Sequence, residues 1–299
     1  MTGHLLGVDL GGTGTRIVLT DGAGSVLADR SVPTTTDAAA AVDDLAAALA
    51  DVADGPVAGI GIGASGPIDR HGVIRNPATL EAYTGVGLVG PLRDRFGVPV
   101  TIDNDAVTAA YAEALLGAGR GARGVLMVTL GTGVGVAMMT NGRPLRTASG
   151  AHPEAGHLTI SGVGPCYCGR TSCWEQQASR SALQAGAAAA GLTLDAAASS
   201  ARDGDPTALA LFTAYGRAVG MGLAELLTLL GPDRVVLGGG GARFCDLFVP
   251  ALDEAMSEVV DCFAPTPIVI ATLGDLAGAI GAALWVAGEG QPEMFLTRS

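Results

Sequence analysis

Short apolar runs separated by glycine turns open the chain, and their spacing predicts strands before any helix. In the first half we expect helices at 37–53 and from Asn104 to Gly117, and strands at 5–10, 16–20, 25–30, 57–62 and 98–102. Either Asp103 or Asn104 is the expected N-cap of the second helix, because short polar side chains bind free N–H groups at helix starts. The alternation of strands and helices predicts an α/β fold.

The second half repeats this order. We expect strands at 124–130, 134–139, 143–147, 234–237 and 267–271, irregular chain at 148–179, and helices at 206–230, at 244–260 and from about 275. The letters LGGT at 10–13 have a counterpart, LGTG, at 130–133. This pattern predicts a duplicated fold of two lobes around a central cleft, where ligands bind. The expected lobes are 1–113, with a C-terminal helix at 285–299 packing on it, and 114–284.

Composition narrows the class of protein. The chain has 299 residues, of which 48% are hydrophobic and 15% charged, so it is not a disordered chain. Its 17 basic and 29 acidic residues give a net charge of −12, which argues against a nucleic-acid partner. The N-terminus lacks a signal-peptide pattern and no apolar run is long enough for a membrane span, so we expect a cytoplasmic protein without a membrane partner.

Three glycine-rich loops have the composition that brings backbone N–H groups close to phosphate. The first two lie between predicted strands, which disfavours Rossmann and Walker loops, because those require a helix directly after the glycines. One such loop is more often a plain turn, but three loops at matching positions of a duplication favour a nucleotide site. We expect Asp9 to hold a hydrated Mg²⁺. The candidate nucleotide- and phosphate-binding residues are Asp9, Gly11, Gly12, Thr13, Gly131, Thr132, Gly133, Gly239 and Gly240.

One histidine and three cysteines lie close together in the irregular segment. His157, Cys166, Cys168 and Cys173 match the ligand set of a closed, tetrahedral structural zinc site. The alternatives are three inert buried thiols beside a surface histidine, or a catalytic zinc. A catalytic zinc is disfavoured, because four protein ligands leave no position for water.

Several motifs together resemble the ROK family of bacterial sugar kinases and sugar-responsive repressors. The letters EAGH at 154–157, followed by the cysteine segment that ends at Glu175, are similar to the family signature. The letters DLGGTGTR at 9–16, GASGPID at 63–69, DNDA at 103–106 and GTGVG at 131–135 follow in family order. The resemblance covers essentially the whole chain. It implies the actin-like ATPase (ribonuclease H-like) fold, ATP as phosphoryl donor, Mg²⁺, structural Zn²⁺ and a homodimer or homotetramer.

The resemblance also implies a reaction and its residues. It implies ATP-dependent phosphorylation of a hexose, glucose first, at the 6-hydroxyl, with Asp105 as the catalytic base. The implied sugar-binding residues are Asn104, Asp105, Glu154, His157 and Glu175. From the residues alone, Asp105 is more simply a helix N-cap, and one of the three polar residues at 103–105 caps while another catalyses. Only the resemblance selects Asp105.

Departures from the family pattern leave the sugar open. The asparagine in the segment 75–83 does not align securely, His152 and Pro153 precede Glu154 as in some fructokinase-like members, and Arg16 replaces the usual lysine. Kinases for fructose, N-acetylglucosamine or N-acetylmannosamine therefore remain alternatives, and so does a non-catalytic sugar-sensing protein. The donor is ATP or an alternative such as polyphosphate. With the kinase fold expected from residue 5, we expect no DNA-reading domain.

Overall fold

Five strands form the first sheet, and their order is β3-β2-β1-β4-β5. The strands are β1 (His4–Leu10), β2 (Gly14–Thr20), β3 (Val26–Pro33), β4 (Val57–Ala64) and β5 (Val100–Asn104). The hairpin strands β1, β2 and β3 pair antiparallel, whereas β4 runs parallel to both β1 and β5. The carboxyl ends of β1, β4 and β5 therefore lie at one edge of the sheet, where α/β folds place their ligands.

A second sheet repeats this topology. Its strands are β6 (Gly124–Leu130), β7 (Val134–Thr140), β8 (Arg143–Pro144), β9 (Arg234–Gly238) and β10 (Ile268–Ile270), in the order β10-β9-β6-β7-β8. If β6 is counted as the first strand and the sheet is read from its β8 edge, the order is again third, second, first, fourth, fifth, so the predicted duplication is confirmed. The strand expected at 143–147 is wrong beyond Pro144, because after Leu145 the chain leaves the sheet and Arg146 binds a buried carboxylate.

Nine helices complete the described part of the chain. They are α1 (Ala41–Val52), α2 (Val89–Phe96), α3 (Asp105–Leu115), α4 (Glu175–Ala178), α5 (Arg180–Ala189), α6 (Leu194–Arg202), α7 (Pro206–Leu230), α8 (Cys245–Ser257) and α9 (Ala277–Val286). The predicted start of α1 at Asp37 is wrong, because the Asp37 carboxylate accepts from the Ala39 N–H and closes a turn first. The α7 prediction is confirmed, with Asp205 capping its start and Gly231 ending it at φ 51°. The last three residues of the helix expected at 244–260 lie outside the described residues.

The computed structural model describes residues 3–160, 164–257 and 266–288, which divide into two compact units. The first unit holds the described residues of 1–125, 137–153 and 271–299, and the second those of 126–136 and 154–270. These bounds differ from the expected 1–113 and 114–284. The physical reason is long-range packing, because the segment 137–153 and helix α9 contact the first sheet or its neighbours. The expected helix at 285–299 is instead α9, and 289–299 lies outside the described residues.

Helix α9 closes the core of the first unit. It is apolar on every side and all its residues are buried, as is typical of a central helix. It packs against β1, β4 and α3. Gly7 on β1 and Gly61 on β4 make the contact possible, because a β-carbon at either position would overlap a carbonyl of α9, that of Ala279 or Ala282. Among the described residues, no helix is both long and apolar enough to cross a bilayer.

Candidate functional site

Three consecutive polar residues end β5 and begin α3, and the structure gives each a different role. Asp103 is buried, and both of its carboxylate oxygens accept from the Arg146 guanidinium, one of them at 2.9 Å from Nη1 to Oδ1. The same Oδ1 accepts from the Asn104 N–H at 2.7 Å. Asp103 is therefore neutralised by a cation and holds the backbone before α3.

Asn104 is the N-cap of α3. Its side-chain oxygen accepts from the N–H groups of Ala106 and Val107, at 2.9 and 3.3 Å. Its side-chain nitrogen donates to the Gly66 carbonyl at 3.1 Å. The choice between Asp103 and Asn104 is thus decided, because of these two side chains that of Asn104 reaches the free N–H groups of the first turn.

Among the described residues, Asp105 has no cation paired with it, and it is not the N-cap of α3. Its Oδ2 accepts from the Ser65 hydroxyl at 2.7 Å, and Oδ1 accepts from the Ala106 N–H at 2.8 Å. No arginine in the described part of the chain forms an ion pair with it. Burial raises the pKa of the Asp105 carboxyl, against the lowering effect of the Ser65 hydrogen bond. A carboxylate with a raised pKa and no cation is well suited to accept a proton.

Asp9 lies at the end of β1 and interacts with Asp105 electrostatically. Burial and, secondly, the Asp105 charge raise the pKa of Asp9 to about 7, although Arg16 lies 3.7 Å from its carboxylate and opposes this. A β-carbon at Gly278 would lie 3.1 Å from the Asp9 Cγ, so the first turn of α9 packs directly on this carboxylate. A single carboxylate in this setting fits a magnesium ion that keeps most of its waters.

The first glycine loop is a tight turn between β1 and β2. The Gly11 N–H donates to the Gly14 carbonyl at 3.1 Å, and the Thr34 hydroxyl donates to the Gly11 carbonyl at 2.6 Å. A β-carbon at Gly12 would lie 2.8 Å from the Thr79 carbonyl oxygen. Gly12 and Thr13 at the tip are exposed, which leaves that part of the loop open to a ligand.

In the second unit the four predicted metal ligands converge. Their ligand atoms all lie within 4.8 Å of one another. The Sγ atoms of Cys168 and Cys173 are 3.6 Å apart, and the Cys166 Sγ is 3.5 Å from the His157 Nδ1. Ordinary zinc bond lengths in a tetrahedron place two sulfurs about 3.8 Å apart, and a sulfur and a nitrogen about 3.5 Å apart. The donor set therefore fits Zn²⁺ in both chemistry and spacing.

Trp174 anchors this cysteine segment to α7. The indole is fully buried, and its N–H donates to the Ala218 carbonyl at 2.8 Å. A β-carbon at Gly222 would overlap the indole ring, so α7 carries glycine where the ring crosses it. Isolated β-bridges also hold the segment, and one of them joins Thr159 and Cys173.

Glu175 connects the cysteine segment with the second glycine loop. Its Oε1 lies 3.2 Å from the Cys166 Sγ and 3.4 Å from the His157 Nδ1. Its Oε2 would lie 2.6 Å from a β-carbon at Gly133, so any side chain there would displace the carboxylate. Glu154 is exposed, one residue before the short helical turn that carries His157.

The other ring nitrogen of His157 already has a partner. Its Nε2 lies 3.1 Å from the Tyr167 hydroxyl, and the two rings meet edge to face. Tyr167 is 67% exposed, so its side chain is free to leave. The tyrosine therefore occupies the position on the histidine that we expected for a sugar hydroxyl.

The second and third glycine loops contact each other through the end of β6. The Gly241 N–H donates to the Leu130 carbonyl at 2.8 Å, and Gly239, at φ +77°, passes that same residue too closely for any side chain. The Gly131 carbonyl accepts from the Arg180 N–H at 2.9 Å. Thr132, between Gly131 and Gly133, is exposed. These two loops thus form one continuous surface of backbone in the second unit.

This combination of fold and side chains is that of a known family. The family model described as "ROK family" matches residues 5–289. The chain belongs to the ROK family. It is 32% identical over 306 residues to a glucokinase from Streptomyces coelicolor, covering 94% of this chain and 96% of that one.

Solved ROK structures share the fold. A ROK family glucokinase from Streptomyces griseus, in complex with glucose and AMPPNP, superimposes with a TM-score of 0.83 at 31% identity, covering 94% of this chain and 98% of that one. A ROK hexokinase from Thermus thermophilus gives 0.82 at 35% identity, covering 94% and 97%. The fold is therefore the expected actin-like ATPase fold.

Three residues of this ROK site were missed by sequence reasoning: Ser65, Asn76 and Arg146. Asn76 donates to the Ser65 carbonyl at 3.0 Å and fills the space beside Gly66, whose φ is +83°. The glycine in the segment 63–69 is a signal of such a turn, because positive φ favours glycine. No local pattern points to Arg146, which lies 43 positions from Asp103.

Burial and the Arg146 charge lower the pKa of the nearby His152 to about 4, so that histidine is neutral.

Proposed function

We propose that this chain transfers the γ-phosphoryl group of ATP to a hydroxyl of a hexose, with glucose the first candidate and the 6-hydroxyl the acceptor. Similarity to glucokinases over 94% of the chain supports a sugar kinase. A structure of similar fold holds glucose together with an ATP analogue, which favours the same pair of ligands here.

The state of Asp105 is the observation that carries this proposal. Of the three polar residues at the start of α3, Asp103 is paired with Arg146 and Asn104 caps the helix. Asp105 alone keeps a carboxylate without a cation, oriented by the Ser65 hydroxyl. In the proposed step the sugar oxygen forms a bond to the γ-phosphorus, the bond from that phosphorus to the ADP oxygen breaks, and Asp105 takes the hydroxyl proton.

The glycine loops are assigned to the phosphates of the donor. Their exposed tips offer backbone N–H and hydroxyl donors, which suit phosphate oxygens. Asp9 is assigned to Mg²⁺, which when bound neutralises charge on the donor phosphates. The assigned phosphate-binding residues are Gly11, Gly12, Thr13, Gly131, Thr132, Gly133, Gly239 and Gly240.

The sugar is assigned to the residues that the family resemblance implies. In the first unit these are Asn104 and Asp105, and in the second they are Glu154, His157 and Glu175. For His157 to bind a sugar hydroxyl, Tyr167 must release its Nε2. We assign Zn²⁺ to His157 Nδ1 and the three cysteines, where it orders the segment and takes no part in the transfer.

Two kinds of alternative remain to be tested. A kinase for fructose or an N-acetylhexosamine would carry out the same phosphoryl transfer on a different sugar. Fructose is included in the test because His152 and Pro153 precede Glu154. A sugar sensor without turnover requires no base, so a buried carboxylate that is oriented by the Ser65 hydroxyl favours a kinase over a sensor.

An ADP-release assay tests the proposal. Glucose, fructose, N-acetylglucosamine and N-acetylmannosamine are compared with and without Mg²⁺, and polyphosphate replaces ATP in a parallel series. We expect the highest kcat/KM for glucose with Mg-ATP, and ³¹P NMR of the product to show the ester at the 6-hydroxyl. The Asp105→Asn variant is the matched control for background hydrolysis. Sugar binding by calorimetry without any turnover would contradict the kinase and favour a sensor.

A further inference from the structure

Arg180 has an unusual position for a cation in an acidic protein. It is the first residue of α5, and its backbone N–H donates to the Gly131 carbonyl at 2.9 Å. Its side chain crosses the third glycine loop, since a β-carbon at Gly240 would lie 2.9 Å from its Cδ and 3.3 Å from its Nε. Among the described residues, its guanidinium forms no ion pair and no hydrogen bond.

Tyr215 brings a second unsatisfied group to the same loop. Its side chain is only 3% exposed, and its hydroxyl has no hydrogen-bond partner in the part of the chain that the structure describes. Its ring packs edge to face on Phe248, 5.2 Å between centroids, so the hydroxyl is held in place. A β-carbon at Gly241 would lie 2.7 Å from the hydroxyl oxygen. Burial raises the pKa of Tyr215, and the charge of Arg180 acts in the opposite direction.

These groups have one ligand chemistry in common. A guanidinium binds phosphate oxygens through two parallel N–H donors, and a tyrosine hydroxyl donates one more hydrogen bond. The start of α5 adds the positive end of a helix dipole, and the adjacent glycines leave the backbone accessible. A buried hydroxyl without a partner is normally satisfied by a ligand or by ordered water.

We infer that Arg180 and Tyr215 bind a phosphate group of the phosphoryl donor against the loop Gly239–Gly241. This inference rests on the proposed function and adds to it two donor-binding side chains outside the glycine loops. The ligand class is a polyphosphate chain, whether it ends in a nucleoside or not. Arg180 is thus a binding residue for the donor and not for the sugar.

Calorimetry with inorganic tripolyphosphate tests the site without requiring turnover. We expect Arg180→Gln to weaken binding by about tenfold or more, and Arg180→Lys to weaken it less, because lysine keeps the charge but loses the paired donors. Tyr215→Phe should weaken it by a few fold while the melting temperature stays equal or rises, since the variant removes an unsatisfied buried hydroxyl. Arg202→Gln is the control, because that arginine pairs with Asp246 on the protein surface and carries the same charge.

Steady-state kinetics give the second readout. In Arg180→Gln the KM for ATP should rise about tenfold while the KM for the sugar stays unchanged. Absence of tripolyphosphate binding by the wild-type protein, or wild-type Kd and ATP KM in both Arg180→Gln and Tyr215→Phe, would overturn the inference. If no sugar is phosphorylated but Arg180→Gln still loses tripolyphosphate binding, the proposed function fails and this site stands.

Discussion

The start of α3 in the first unit and the cysteine segment in the second unit are built in opposite ways. At the start of α3, regular structure and protein hydrogen bonds hold every polar side chain: Arg146 binds Asp103, Asn104 caps the helix, and Ser65 orients Asp105. The described residues of the cysteine segment are held by a short helical turn, isolated bridges, backbone hydrogen bonds between loops and the buried Trp174. Its four soft donors face one another.

At the start of α3, the group assigned to catalysis is different from the groups that stabilise the local structure. In the cysteine segment, the same residues are assigned to both tasks. Around Asp105 the protein itself supplies the order, so loss of one functional group leaves the geometry intact. In the cysteine segment the proposed Zn²⁺ would supply the order, because a closed metal site contributes its binding free energy to the fold. Variants at the two regions should therefore fail in different ways.

Asp105→Asn should give the largest effect. We expect kcat to fall by about 10²–10⁴-fold, as the loss of a positioned base does, while the melting temperature stays equal or rises. The amide keeps the size of the side chain and removes a carboxylate whose burial raises its pKa. A folded variant with kcat within tenfold of wild type would show that Asp105 is not the catalytic base.

Arg146→Met tests the pair that supports this site. The substitution leaves Asp103 buried without its cation, which should destabilise the protein by about 3–5 kcal/mol in urea denaturation. The control is Arg75→Met, because Arg75 pairs with Asp69 while 58% exposed, and such pairs contribute about 0–1 kcal/mol. Equal effects of the two substitutions would show that Asp103 does not depend on Arg146.

Cys168→Ser tests the second region. We expect zinc, measured by inductively coupled plasma mass spectrometry, to fall from about one ion per chain, with affinity reduced by at least about 100-fold. The melting temperature should fall and the sugar KM should rise together, because the same segment carries the assigned sugar ligands. Cys245→Ser is the control, since Cys245 lies on α8, apart from the cluster. Full zinc content in Cys168→Ser would contradict the ligand set.

Ser65→Ala should give the smallest effect and sharpen the role of Asp105. The Ser65 hydrogen bond lowers the pKa of Asp105, so its loss raises that pKa further. Because the base acts when deprotonated, the acid limb of kcat/KM should move to higher pH, with less than about a tenfold loss on the alkaline plateau. An acid limb that does not move would exclude Asp105 as the group that titrates.

The succession of strands along the chain, the duplication and the cysteine cluster could be predicted from the sequence, because they depend on local pattern and spacing. The roles at 103–105 could not, since they are decided by Arg146, Gly66 and Ser65, which are distant in the chain. The return of the segment 137–153 to the first unit also could not be predicted, because it depends on long-range packing. Helix α2 was missed because it is short and contains glycine and proline, which are poor helix formers.

The position of α9 has a consequence for synthesis. Helix α9 covers the face of β1 and β4 at Gly7 and Gly61, yet α9 is made last among the described elements. At roughly 5–20 residues per second, the ribosome needs about 8–30 s to go from residue 125 to the end of α9. Throughout that interval the nascent first unit exposes an apolar sheet, so a chaperone that shields it should raise the yield of native protein.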